Sequence, residues 1–194
     1  IQKYQGTISS YPYASLNAFN FFALTGGNWV EEIHSFLFLN YKIWGYIFLL
    51  IILGAVTFLF FRWKNPYKIY PLSFFLITSI FMFSSKMHER YLYPALILAL
   101  LTFIYFPHRR VLFTYLGFSI THFLNVGLVL LYSWYNVFHL YRYSPYVLAI
   151  SLANLVLYAY ALYAGSHLYH DRKLTNSEGQ LLSSTNSSGE ITAE

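Results

Sequence analysis

The chain has 194 residues, 57% of them hydrophobic and only 10% charged, against roughly 45–50% and about 25% in soluble domains, which excludes a water-soluble fold of this size. The absence of cysteine excludes disulfide scaffolds, thiolate zinc sites and cysteine nucleophiles. The net charge of +5 is spread between long apolar runs, so lipid headgroups rather than nucleic acid are the expected counter-ions, and the 22% aromatic share suits interfacial belts.

The chain opens on Ile1 with no signal peptide before its first apolar run, and it reads as the C-terminal part of something larger. Residues 13–25 are apolar but too few to cross a bilayer, since about thirteen residues make roughly 20 Å of helix. Ser10 as a cap, Pro12 in the first turn and Gly26-Gly27 as a stop predict a short interfacial helix. On it Asn17, Asn20 and Leu24 share one stripe, so the two amides face the same way. Glu31, Glu32 and His34 follow. They offer a carboxylate and imidazole set for a metal, although such residues in a loop are more often solvated.

Five longer runs come next, at residues 43–61, 70–85, 91–106, 111–135 and 146–165. None alternates with a strand period, and backbone can cross lipid only with its polar groups paired internally, so each is predicted to be a helix. Pro71, Pro94 and Pro145 fall in first turns, and Pro12, Pro66 and Pro107 at or outside boundaries. Trp44, Trp63 and Trp134 near the span ends fit aromatic belts. His122, Asn125 and Asn154 lie deep in the last two spans, where hydrogen bonds between helices account for them without chemistry.

Arg62, Lys64, Lys68, Arg109, Arg110, Arg172 and Lys173 collect on one side, which the positive-inside rule makes cytoplasmic. Residues 1–42 are then an extracytoplasmic segment, 43–165 a five-span domain, and 166–194 a cytoplasmic tail, polar and disordered from Leu174 onward. The fold class is all-α, integral to the membrane.

The stretch most able to carry chemistry is Lys86-Met87-His88-Glu89-Arg90-Tyr91. The spans on either side have about sixteen residues, or roughly 24 Å of helix against ~30 Å of hydrocarbon, so their connection is held near headgroup depth. If that connection is helical, Lys86 and Arg90 stand four apart on one face with Glu89 beside them. Two cations, a carboxylate and an imidazole make a reasonable phosphate site, with arginine engaging oxygens in a fork. The plainer alternative is a charged loop that only meets headgroups.

The strings Ser15-Leu16-Asn17-Ala18-Phe19-Asn20, Gly26-Gly27-Asn28-Trp29 and Lys86-Met87-His88-Glu89-Arg90-Tyr91-Leu92-Tyr93-Pro94 resemble the C-terminal half of polytopic GT-C glycosyltransferases. They look most like the bacterial relatives of the GPI-anchor mannosyltransferases. The likeness covers residues 11–106; the last two spans match in character only. It implies transfer of a sugar from a polyprenyl-phosphate donor to an acceptor on the extracytoplasmic side. Lys86, His88, Glu89 and Arg90 would contact the donor phosphate, and Asn17 and Asn20 would shape the pocket or pack the interfacial helix. It also implies a catalytic acid in a first outer loop, sometimes with a divalent metal, and that loop would lie upstream. The chain alone is then expected to be inactive and to hold no cofactor itself. A transporter or flippase subunit for lipid-linked glycans is the alternative, with His122, Asn125 and Asn154 lining its path.

Overall fold

A computed structural model describes the backbone of residues 11–189 and the side chains of residues 11–169. Five helices run antiparallel to their neighbours: α2 (Tyr41–Arg62), α3 (Ile69–Phe83), α4 (Tyr93–Tyr105), α5 (Arg109–Trp134) and α6 (Pro145–Gly189). A one-turn helix, α1 (Phe21–Leu24), precedes them. Among the described residues four two-residue strands, β1 (Ser15–Leu16), β2 (Ser35–Phe36), β3 (Leu39–Asn40) and β4 (Met87–His88), make two small pairs. The chain is therefore mostly helical, as its apolar runs predict.

Among the described residues four helical stretches are long and apolar enough to cross a membrane, at Tyr41–Arg62, Pro66–Phe83, Arg109–Trp134 and Pro145–Tyr169. The expected fifth falls short. Its α-helix has 13 residues, about 20 Å, because the chain enters it through a 3-10 turn at Glu89–Leu92. The long stretches carry the right termini. Asn40 caps α2 by accepting from the Ile43 N–H, and Asn65 caps the 3-10 turn Pro66–Lys68 that leads into α3.

The largest core cluster joins Phe74, Phe81 and Met82 of α3 with Ala95 and Ala99 of α4, Phe118 of α5 and Ala161 of α6. Small residues let the helices close up: a Cβ at Gly165 would run into the Phe75 ring, and one at Gly117 into Leu157. A second cluster, Trp63, Leu72, Phe106, Val111 and Leu168, seals the end of the bundle where α2 finishes and α5 begins. By contrast only 11% of the apolar window of α2 is buried, so this helix flanks the bundle.

The segment before α2 departs most from its expected form. Residues 13–25 are not a helix lying at an interface; beyond the single turn of α1 they are extended or irregular. They are also enclosed, with Ala14 through Asn20 all buried and Ala18 part of the main core cluster. Side chains of other elements complete the hydrogen bonding that a helix would have supplied internally. Ser10, the expected cap, lies outside the described residues. The tail expected from residue 166 falls mostly on residues whose side chains are outside the described set; the backbone of α6 is helical to Gly189.

Candidate functional site

The end of the bundle where α3 and α5 finish gathers three chain segments: 11–34, 84–92 and 135–144. β1 pairs in parallel with β4, Ser15 opposite Met87 and Leu16 opposite His88. On the other edge of β1, Ser15 bridges Asn28 and Tyr13 bridges Glu31. Two strings more than seventy positions apart in the chain are therefore hydrogen-bonded neighbours.

Asparagines build the scaffold around this pairing. Asn17 occupies the left-handed region (φ 56°), which asparagine tolerates better than most residues. Its side-chain amide donates to the Phe138 carbonyl (2.9 Å), and its side-chain oxygen accepts from the Trp29 indole (2.8 Å). Asn28 accepts from the Asn17 backbone N–H (2.8 Å) and donates to the Leu140 carbonyl (2.9 Å). Asn125 of α5 donates to the Asn17 carbonyl (2.8 Å) and accepts from the Phe19 N–H (3.2 Å), while Asn154 of α6 donates to the Phe19 carbonyl (2.7 Å). Asn20 caps α1 and donates to the Phe81 carbonyl at the end of α3 (2.9 Å).

These bonds revise several expectations. Asn17 and Asn20 do not share a helical stripe; their amides reach different elements, and both side chains are buried and engaged. Asn125 and Asn154 bind neither each other nor another helix but the inserted segment. His122, one turn before Asn125, is buried with an unpartnered Nδ1 and a Tyr93 ring 6.0 Å away.

The charged cluster is likewise not helical. α3 ends at Phe83, Lys86 takes a left-handed conformation (φ 62°), and its N–H donates to the Tyr13 carbonyl (3.2 Å). Pairing with β1 thus displaces the helical turn that would have set Lys86 and Arg90 on one face. Lys86 Nζ instead lies 3.2 Å from Glu32 Oε1, and Lys42 Nζ lies 3.5 Å from the same oxygen. The Ser85 hydroxyl donates to the other carboxylate oxygen (3.4 Å). Glu32 is only 4% exposed, and so enclosed a carboxylate persists as an ion only with opposite charge and donors about it. Lys86 is therefore chiefly a partner for Glu32.

Glu32, committed to two ammonium groups, does not fit a metal set with Glu31 and His34. Among the described residues no group of three or more His, Cys, Asp or Glu is arranged to hold a metal ion.

His88, Glu89 and Arg90 follow one another where β4 gives way to the 3-10 turn. The His88 ring has Tyr11 and Tyr91 edge-on at 5.4 and 5.3 Å. Its Nδ1 is 3.9 Å from Glu89 Oε2, and Arg90 Nη1 is 4.0 Å from Glu89 Oε1. Burial pushes the His88 imidazole below the ordinary histidine range; the Glu89 carboxylate opposes that shift and the Arg90 guanidinium adds to it. The imidazole is consequently neutral at pH 7. The Arg90 side chain is 68% exposed, so its guanidinium has open donor positions. The arrangement offers one outward cation, one hydrogen-bonding imidazole and a carboxylate between them.

Asn28 stands in a motif string and Glu32 among the candidate metal ligands, yet their roles here, and Lys42 altogether, carry no local signal. Glu32 and Lys42 are ten positions apart, and only the turn formed by β2 and β3 brings them together. Comparison with known protein families, with characterised proteins and with solved structures found no match.

Proposed function

We propose that the chain is the C-terminal portion of a GT-C type membrane glycosyltransferase. It would transfer a sugar, mannose by resemblance, from a polyprenyl-phosphate donor to an acceptor on the extracytoplasmic side. The observation that carries the reading is the β1–β4 pairing, which joins the first and last of the motif strings behind the resemblance beside a cluster in which His88 and Arg90 each lie within 4.0 Å of Glu89.

In this reading Arg90 receives the donor phosphate, because an exposed guanidinium can fork two anionic oxygens. Lys86 acts through Glu32, holding the β4 segment in place. His88, neutral and close to Glu89, is suited to hydrogen-bond the donor or take a proton from the acceptor hydroxyl. Remaining parts of the machinery, including a catalytic acid and any divalent metal, belong to the rest of the polypeptide. Membrane lipid is the other partner, with α4 and its preceding 3-10 turn completing a fifth crossing.

The test is binding of polyprenyl-phosphate mannose to the purified chain in detergent. Saturable binding that weakens about tenfold in Arg90→Ala, the loss of roughly one charge-assisted contact, is expected. Absence of saturable binding, or equal binding by the variant, would overturn the reading.

A further inference from the structure

The β2–β3 hairpin is built opposite to a water-facing turn. Antiparallel pairing sets Ser35 against Asn40 and Phe36 against Leu39, which leaves Leu37 and Phe38 at the tip. They are 74% and 77% exposed. Leu37 also has φ 59°, a conformation where glycine or asparagine is preferred and a turn in water would normally carry one. No charged residue lies between positions 35 and 40.

The hairpin's direction is fixed by what it touches. Phe38 stands edge-on to Trp44 at 5.1 Å, and the Trp44 indole donates to the Phe36 carbonyl at 3.0 Å. Trp44 is one turn inside α2, so the hairpin folds down beside that helix instead of projecting beyond its end. Its tip thus lies beside the first turns of α2, a helix whose other face, with Ile43, Tyr46 and Leu50, is exposed and apolar. At the hairpin's base the polarity reverses: Glu31 is exposed, and Glu32 holds Lys42. Charged root and uncharged aromatic tip match the gradient from headgroup to acyl chain.

We infer that the hairpin tip is a membrane-inserted element, with Leu37 and Phe38 seated among the acyl chains of the leaflet that holds the start of α2. The inference rests on the membrane reading of α2. It gives the Glu32 carboxylate, and through it Lys86, an attachment to the lipid surface beside the candidate site.

The natural absence of cysteine makes the test direct. Leu37→Cys, Phe38→Cys, Glu31→Cys and Leu50→Cys are each introduced alone into the full chain, spin-labelled and reconstituted in phosphatidylcholine–phosphatidylglycerol vesicles. Collision with oxygen and with a water-soluble nickel chelate is then compared. Labels at 37, 38 and 50 are expected to favour oxygen several-fold over the label at 31. Nickel access at 37 and 38 with oxygen preference kept at 50 would overturn the hairpin's insertion and leave the membrane reading standing. Nickel access at 50 as well would overturn both. Labels at 37 and 38 shielded from both reagents would mean that protein covers the tip, which also defeats the inference.

Discussion

Asn17→Ala is expected to lower stability by about 3 kcal/mol, several times the average for a hydrogen bond between membrane helices. The side chain satisfies the Phe138 carbonyl, the Trp29 indole and the buried Leu140 N–H, and its removal leaves the last of these without this acceptor. The backbone adds a second penalty, because alanine at φ 56° gives up asparagine's tolerance of the left-handed region. Asn17→Gly separates the two effects: it keeps the backbone freedom while losing the same bonds, and should be less damaging than alanine. Thermal unfolding in detergent is the measurement. Equal and small losses in both variants would mean that the asparagine scaffold contributes little.

A larger effect is expected on turnover. In the longer enzyme of the proposed function, His88→Ala and Arg90→Ala should each lower transfer by about 10²–10³-fold, the range for losing one positioned donor or proton acceptor. Membrane insertion should be unchanged, since neither side chain is part of the asparagine network. The pH profile distinguishes them. His88 is active as the neutral imidazole, and burial lowers its proton affinity, so the rate should hold through neutrality and fall only below the ordinary histidine range. Its stability term has a related sign. The unfolded chain takes up the proton first, so this contribution is lost as pH falls through about 6.5 toward the lowered folded value. In Arg90→Ala the limb should move upward, because the guanidinium no longer disfavours imidazolium. Full turnover in both variants would remove these residues from the site.

The long helices were legible because hydropathy and chain length are local quantities. The run at residues 43–61 and the observed Tyr41–Arg62 helix differ by a turn at most, and Pro145 begins its helix as expected. The inserted segment was not legible. Residues 13–25 have an apolar composition that suits a helix, and nothing local discloses that Asn125 and Asn154 will meet the backbone at positions 17 and 19. The same cause hid the strand character of Met87-His88, whose pairing partner lies far upstream. His88, Glu89 and Arg90 could be picked out as a group, whereas the diversion of Lys86 to Glu32 depended on tertiary contacts alone. Asn125 and Asn154 make hydrogen bonds, as polar residues deep in a span are expected to, but their partner is an irregular chain segment and not a neighbouring helix.

The pairing of β1 with β4 supports the whole functional reading, and cross-linking measures it most directly. Ser15 and Met87 are directly opposed, so cysteines at both positions, in a chain that otherwise has none, should bridge under mild oxidation in the native membrane. Near-complete loss of free thiol, restored by reductant, is the expected result, with Ser15→Cys paired to Tyr93→Cys remaining unbridged. Two freely alkylated thiols at positions 15 and 87 would contradict the pairing and, with it, the site assembled around it.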